Sequence, residues 1–278
     1  MELLDKSTII YDFGMNNGDD LSYYLAKGTK VVGVEANRSL CDSVRAKYSK
    51  EVQAGQLVIE NVVLSVDRDE GEVDFYIHKA NHVLSQFPRP SDKRIDDFEE
   101  TRVRQRLPSS LIWQHGEPHY IKLDIEHYDR IVLEELFSQE IYPRFISSEM
   151  HDVRVFQLMT NAGYPYFNLV NGPDVSKQYR DVAFLDAHGT AQTFSFPSHS
   201  AGPFGADLRF PWLRTWQMNL LIWLVEPGWR DLHASRYRLR RSELLPTVRL
   251  ALWLAVGVAR RILSRFALLR RVRRRLSR

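Results

Sequence analysis

The chain has 278 residues, with 38 Lys and Arg against 35 Asp and Glu and 44% apolar side chains. This balance excludes a disordered, collagenous or low-complexity chain and is enough for one full domain core with an appendage. The single cysteine, Cys41, excludes a disulfide scaffold and a Cys-based metal cluster, as suits a reducing compartment. The net charge of +3 conceals an asymmetry: residues 246–278 hold ten Arg and no Lys, Asp or Glu, leaving about −7 on the 245 residues before them. The opening MELLDKSTII lacks a basic stretch followed by an apolar one, so a cytoplasmic location is expected rather than export.

In chain order, STIIYDFG (7–14) is a short β-branched run that stops at Gly14, and DLSYYLAKG (20–28) reads as a helix closed by Gly28. KVVGVEAN (30–37) is a second buried strand, followed by a helix through SLCDSVRAKYSKEV (39–52). LVIENVVLSV (57–66) is a third strand pattern, and EVDFYIH (72–78) alternates like an edge hairpin. The charged, Pro-punctuated stretch 79–117 interrupts the alternation and is expected as loop with some helix. Strand, helix, strand, helix then resume in HYIKLDIE (119–126), YDRIVLEELFSQ (128–139), RFISSEM (144–150) and VRVFQLMTNAGY (153–164), with YFNLV and YRDVAFLD to close the sheet. This alternation predicts an α/β fold with a parallel, doubly wound sheet, whose ligand crevice lies beyond the carboxyl ends of its strands.

The loop YDFGMNNGDD (11–20) is placed to use that crevice. Asp12 ends the first strand, Gly14 and Gly18 bracket a tight turn, and Asp19 or Asp20 opens the next helix. Neither the G-x-G-x-x-G nor the G-x-x-x-x-G-K-[ST] spacing is present, and the acids Asp12 and Asp19 would repel a pyrophosphate. A ligand with a cationic portion fits better. Glu35, seventeen residues beyond Gly18, stands at the end of the second strand, where a carboxylate can accept both hydroxyls of a ribose. Loop and acid together suggest a nucleoside without a phosphate beside the loop.

The segments YDFGMNNGDD, VVGVEAN, NVVLSVDRDEGEVDFY, YIKLDIEHYD and FISSEMHD resemble the successive motifs of the FkbM-type S-adenosylmethionine-dependent methyltransferases, over residues 8–152. The resemblance implies a class I methyltransferase fold, Rossmann-like with a doubly wound seven-stranded sheet, and methylation of hydroxyl groups on sugars and natural products. It further implies that the 12–19 loop, with Asp12, Gly14, Asn16, Gly18 and Asp19, holds the methionine end of S-adenosyl-L-methionine, and that Glu35 holds its ribose. His127 and Asp129 stand where that family usually carries Gly and Glu. Such chemistry agrees with the charges: the cofactor's sulfonium and ammonium favour an acid-lined crevice, and a hydroxyl acceptor needs a carboxylate or His to take its proton.

In IKLDIEHYD, Lys122, Asp124 and Glu126 alternate with Ile121, Leu123 and Ile125, so three charges are expected on one side of a central strand. Buried charges must pair, face the crevice or bind a ligand. A Lys122–Glu126 ion pair is the plainer reading. The functional one makes Asp124, Glu126 and, at the end of the next strand, Glu149 the carboxylates that assist catalysis, with His151 and His127 as lesser candidates. These acids could instead hold Mg²⁺, yet no spacing singles out a metal, and none is assigned. Ser65 is expected beside the adenine; Asn61 and Ser85 are weaker candidates.

SFPSHSAGPFGADLRFPWLRTW and EPGWRDLHASRY, rich in Gly, Pro and aromatics, read as a lid or acceptor pocket over 191–240, with His199 and Asp207 as its titratable members; loop packing on the domain is the competing reading. This leaves 1–190 as the methyltransferase domain and 241–278 as a basic amphipathic C-terminal helix. From Pro246 onward, Val258, Ile262, Phe266, Leu269, Val272 and Leu276 form an apolar stripe among the arginines. The longest uncharged run, LALWLAVGVA, is ten residues and too short to span a bilayer. An anionic membrane surface is the expected partner of this helix; packing against another helix and nucleic-acid binding, the least expected, are the alternatives. The expected function is O-methylation of a hydroxyl on a sugar, glycan, lipid-linked or natural-product acceptor. A nicotinamide or nucleotide-sugar oxidoreductase and a non-catalytic cofactor-binding module are the other readings of the same residues.

Overall fold

The computed structural model describes residues 8–198, 200–209, 212–224, 229–239 and 256. The C-terminal helix expected over 241–278 lies outside these, Val256 apart, as does His199.

Strand β1 (Ile9–Phe13) is buried along its whole length and is followed by α1 (Leu21–Lys27), β2 (Lys30–Val34), α2 (Arg38–Lys47), α3 (Ser49–Gln53) and β3 (Leu57–Glu60). An excursion follows: β4 (Val63–Leu64), β5 (Glu72–His78), β6 (Phe98–Arg106) and α4 (Pro108–His115). The main alternation resumes with β7 (Pro118–Leu123), α5 (Asp129–Ser138), β8 (Phe145–Glu149), α6 (Val153–Asn161) and β9 (Tyr166–Asn171). The short α7 (Val175–Gln178), the pair β10 (Val182–Leu185) and β11 (Ala191–Phe194), β12 (Leu213–Arg214), α8 (Thr215–Leu224) and β13 (Arg230–Ser235) complete it.

The main sheet runs β12-β9-β13-β8-β7-β1-β2-β3. Strands β3, β2, β1, β7 and β8 are mutually parallel, whereas β13 is antiparallel to both its neighbours, β8 and β9. Seven strands were expected; the two-residue β12, paired antiparallel to β9, makes eight among the described residues. From the 191–240 segment, β13 lies between β8 and β9 in the main sheet.

Alternation along β1 builds the two faces of the sheet. Ile9, Tyr11 and Phe13 join the layer that α4, α5 and α6 cover through Leu111, Val132, Leu136 and Phe156, while Ile10 joins the layer covered by α1 and α2 through Tyr24, Cys41 and Val44. The second layer is aromatic. Tyr120 of β7 stacks on Phe204 with ring centroids 4.2 Å apart, and Phe184 and Phe196 meet Tyr23 edge to face.

Three expectations differ. YRDVAFLD does not close the main sheet: β10 pairs only with β11, as a hairpin laid over α1. The 57–66 pattern is two strands, since β4 leaves the main sheet to pair with β6. The polar stretch 79–117 contains the nine-residue β6, which pairs antiparallel with β5. Its sequence FEETRVRQR hides a strand because only Phe98, Val103 and Gln105 are buried; the remaining side chains are solvated, so charge masks the period of two.

His233 in β13 is buried, and its Nε2 donates to Ala201 O at 3.1 Å, so it is held neutral. Burial pushes its pKa down to about 4. The unfolded chain takes up a proton near pH 6.5 while the fold resists until about pH 4, so stability falls with pH between those values, by about 2 kcal/mol at pH 5. Urea unfolding at pH 7 and pH 5 should show this loss in the wild type and a smaller one in His233→Gln; equal losses would exclude the buried imidazole as its source.

Candidate functional site

A crevice of about 320 Å³ opens beyond the carboxyl ends of β1, β2 and β7. Its floor follows from strand register. Asp12 of β1 stands directly opposite Lys122 of β7, so both side chains emerge on the same face. Lys122 Nζ lies 3.2 Å from Asp12 Oδ1, 3.5 Å from Asp124 Oδ2 and donates to Gly14 O at 3.0 Å. The Gly14 carbonyl accepts the hydrogen bond, and the two carboxylates act on the ammonium as neighbouring charges. Burial works to lower the Lys122 pKa, but Asp12, Asp124 and Asp20 outweigh it and hold it well above its ordinary range. The expected Lys122–Glu126 pair is thus replaced by Lys122 with Asp12 and Asp124, because β7 ends at Leu123 and Glu126 belongs to the turn that follows.

The β1–α1 loop passes tightly over this floor. Gly14, with φ +84°, donates its N–H to Val34 O at 3.0 Å, and a Cβ at this position would lie 1.9 Å from Asp124 O. Asn16 has φ +50° and donates its N–H to Glu35 Oε2 at 3.1 Å; the Asn37 N–H donates to Glu35 Oε1 at 2.8 Å. Both Glu35 oxygens are therefore held by backbone N–H groups at the edge of the crevice. Burial raises the Glu35 pKa against these two bonds.

Of the residues expected to hold a cofactor, Asp12, Gly14, Asn16, Asp19 and Glu35 line this one crevice. Gly18 closes the turn behind it, its N–H bonded to Met15 O and its carbonyl to the Tyr48 hydroxyl. Ser65 is buried: its N–H bonds Arg106 O and its Oγ accepts from Asp67, so Val63 and Leu64 present that segment to the crevice instead. Asp20 also lines it, accepting from Ser200 Oγ at 2.6 Å, and burial lifts its pKa to about 7.

Asp124 and Glu126 reach the same crevice, and one oxygen from each lies within 4.8 Å of the other and of a Glu149 oxygen. Two further carboxylates stand beside them. Asp129, at the start of α5, and Asp231, opposite Glu149 in the β13–β8 register, are buried, and each has an Oδ2 with no hydrogen-bond partner. Burial, then the charges of Asp124 and Glu149, push Asp231 well above the ordinary carboxylate range; burial, then Asp124 and Glu149, lift Glu126 to about 8. His151 Nε2 lies 3.1 Å from Glu149 Oε2 and 3.3 Å from the His127 N–H. With a proton on Nε2 it donates to Glu149; with Nε2 bare it accepts from the His127 N–H. His127 has φ +72°, the backbone region where glycine is at ease, and its ring sits 4.1 Å from that of His151.

Among the described residues, the aromatics expected as a lid over 191–240 do not line the crevice. Ser198 is the one described residue of that segment on the crevice, whereas Phe196, Ser200, Ala201, Phe204 and Leu208 are buried under α1. Asp207 pairs with Lys27 at 2.9 Å and accepts from Tyr23 at 2.7 Å as part of that packing. The covering wall comes from the β4–β6 excursion through Phe75, His82, Val83, Ser85, Gln86 and Phe87. Apart from Ser85 these were missed, and the signal available was the isolated apolar group Val83, Phe87 within a charged stretch.

A profile of the methyltransferase FkbM domain matches residues 12–166, more than half of the chain. The chain belongs to the FkbM methyltransferase family. No curated protein matches this FkbM methyltransferase. Among solved structures it is similar to the methyltransferase FkbM from Methylobacillus flagellatus KT, at 14% identity and TM-score 0.42, over 62% of this chain and 41% of that one. The match thus spans less than half the length of that relative. It is also similar to precorrin-6y C5,15-methyltransferase from Geobacter metallireducens GS-15, at 7% identity and TM-score 0.38, over 84% and 82% of the two chains. A SAM-dependent O-methyltransferase from Thermotoga maritima is similar at 7% identity and TM-score 0.34, over 86% and 62%.

Substitution of Gly14 by Ala combines an unfavourable positive φ with a clash against a carbonyl that cannot rotate away, and should cost on the order of 3 kcal/mol. Denaturant unfolding measures this, and a loss under about 0.5 kcal/mol, within the usual surface range, would show that the loop does not pass so close to Asp124.

Proposed function

We propose that this methyltransferase uses S-adenosylmethionine to methylate a hydroxyl group of a sugar, glycan, lipid-linked or natural-product acceptor. The observation that carries the reading is Glu35: its two oxygens are fixed on the crevice by the backbone N–H groups of Asn16 and of Asn37, the N-cap of α2. This suits the two hydroxyls of a ribose. The charge of the crevice agrees. Six carboxylates line it, Asp12, Asp19, Asp20, Glu35, Asp124 and Glu126, against the single ammonium of Lys122, which favours a cationic ligand. Asp19 and Asp20 would face the amino-acid end of the cofactor, and Val63, Leu64, Phe75 and Phe87 offer apolar surface for a base.

When bound, the cofactor supplies an electrophilic methyl group on a sulfonium, which passes in line to the acceptor oxygen. The chain's part is to hold the acceptor along that line and to receive its proton. Asp124, Glu126 and Glu149 are the carboxylates grouped for this, and Glu126 is the one among them with no ion pair to a cationic side chain among the described residues. Calorimetric titration should show S-adenosylmethionine binding to the wild type, and binding weakened about tenfold or more in Glu35→Ala with an intermediate loss in Glu35→Gln, which keeps one acceptor oxygen. Glu126→Gln should retain that affinity while turnover on an accepted substrate falls about a hundredfold. Absence of binding to the wild type would overturn the proposal.

The partner read for the 246–278 segment is an anionic membrane surface. Its ten arginines support this, as do Trp216, Leu220 and Trp223, which leave one stripe of α8 exposed. No described helix is long and apolar enough to cross a membrane. The full chain should float with phosphatidylserine vesicles, less so at high salt, and not with phosphatidylcholine vesicles; equal recovery with both, or loss of flotation to competing nucleic acid, would refute a membrane partner.

A further inference from the structure

We infer that Asp124, Glu126 and Glu149 form a binding site for one hard divalent cation of the Mg²⁺, Mn²⁺ and Ca²⁺ class. One carboxylate oxygen from each lies within 4.8 Å of the other two. Two oxygens bound to one ion can be no farther apart than twice the bond length, about 4.2 Å for Mg²⁺ and about 5 Å for Ca²⁺. Three oxygens at that limiting separation stand about 2.8 Å from a common centre, so Ca²⁺ needs each ligand to close in by a few tenths of an ångström and Mg²⁺ by about 0.7 Å, within the reach of side-chain rotation.

Acids grouped at a surface need no ion, since water screens them. Here the surroundings deny that screening. Asp231 is 2% exposed and stands directly opposite Glu149 across the β13–β8 pair, where paired side chains share a face, and its Oδ2 has no hydrogen-bond partner. Asp129 is 1% exposed with its Oδ2 likewise unpartnered, 3.9 Å from His151 Nε2. A buried carboxylate oxygen facing other carboxylates with no donor of its own is relieved either by a proton or by a cation, and one cation relieves several such groups at once. Lys122 reaches Asp124 at 3.5 Å but is already shared with Asp12, and His151 reaches Glu149 at 3.1 Å. Among the ion pairs of the described residues, two cationic side chains therefore reach this group of five carboxylates. Oxygen ligands from three carboxylates, with open positions toward the crevice, match the preferences of a hard cation.

The site stands on the carboxylates alone and holds whichever methyl donor is used; its proximity to an acceptor hydroxyl rests on the methyl-transfer reading above. The experiment titrates the full chain, stripped with EDTA and without cofactor or acceptor, with Mn²⁺ followed by electron paramagnetic resonance, and with Mg²⁺ and Ca²⁺ by calorimetry. One saturable site with Kd on the order of 10⁻⁴ M or tighter is expected, weakened about tenfold or more in both Glu149→Gln and Glu126→Gln and unchanged in Glu99→Gln, an exposed acid of β6. Glu126→Gln leaves no ion pair broken, so it serves where Asp124→Asn would disturb Lys122. No saturable binding, or binding unaltered in both glutamine variants, would overturn the inference. S-adenosylmethionine titrated into the same samples reads the donor pocket separately, so either site can fail while the other stands.

Discussion

A buried ammonium organises this protein. Lys122 ties the ends of β1 and β7 to the loop between β1 and α1 through Asp12, Asp124 and the Gly14 carbonyl. A charge taken out of water at such depth persists only when its partners are fixed, and here they are fixed by strand register rather than by flexible side chains. The same contact determines how near the loop approaches the β7 end, hence the need for glycine at position 14, and it aligns the Asn16 N–H with Glu35. One interaction thereby sets the depth and shape of the crevice as well as part of its charge.

The parts legible in the sequence were those governed by local rules. Short β-branched runs punctuated by glycine gave β1 and β2, periodicities near 3.6 gave α5 and α6, and acids at strand ends gave Asp12, Glu35 and Asp124 together in one crevice. The parts that were not legible depend on distant segments. Glu126 reads as a strand residue by alternation, yet the strand ends at Leu123 because the chain turns through positive φ at Glu126 and His127. Phe204 and Phe196 look like a loop's exposed aromatics until Tyr120 and Tyr23 are seen to receive them. Ser65 lies on the right segment, but β4 leaves the main sheet there and carries its side chain inward.

Where this chain departs from its relatives is physically informative. At position 127, where the resemblance leads one to expect glycine, the backbone has φ +72°, so an imidazole is carried in a conformation that favours a residue without a Cβ. The His127 ring then lies tilted against that of His151, which in turn touches Glu149. The departure adds titratable groups to the side of the crevice away from Glu35, the side that the proposed chemistry assigns to the acceptor.

The insertion of β13 between β8 and β9 has a consequence for biogenesis. Both neighbours are synthesised some sixty or more residues before it, and until residues 230–235 emerge from the ribosome they present two open backbone edges in the middle of the molecule. The nascent chain must therefore keep that gap free of other strands, and Asp231, beside Glu149, arrives only with the final stave. The acidic corner therefore cannot be complete before residues 230–235 have joined the sheet.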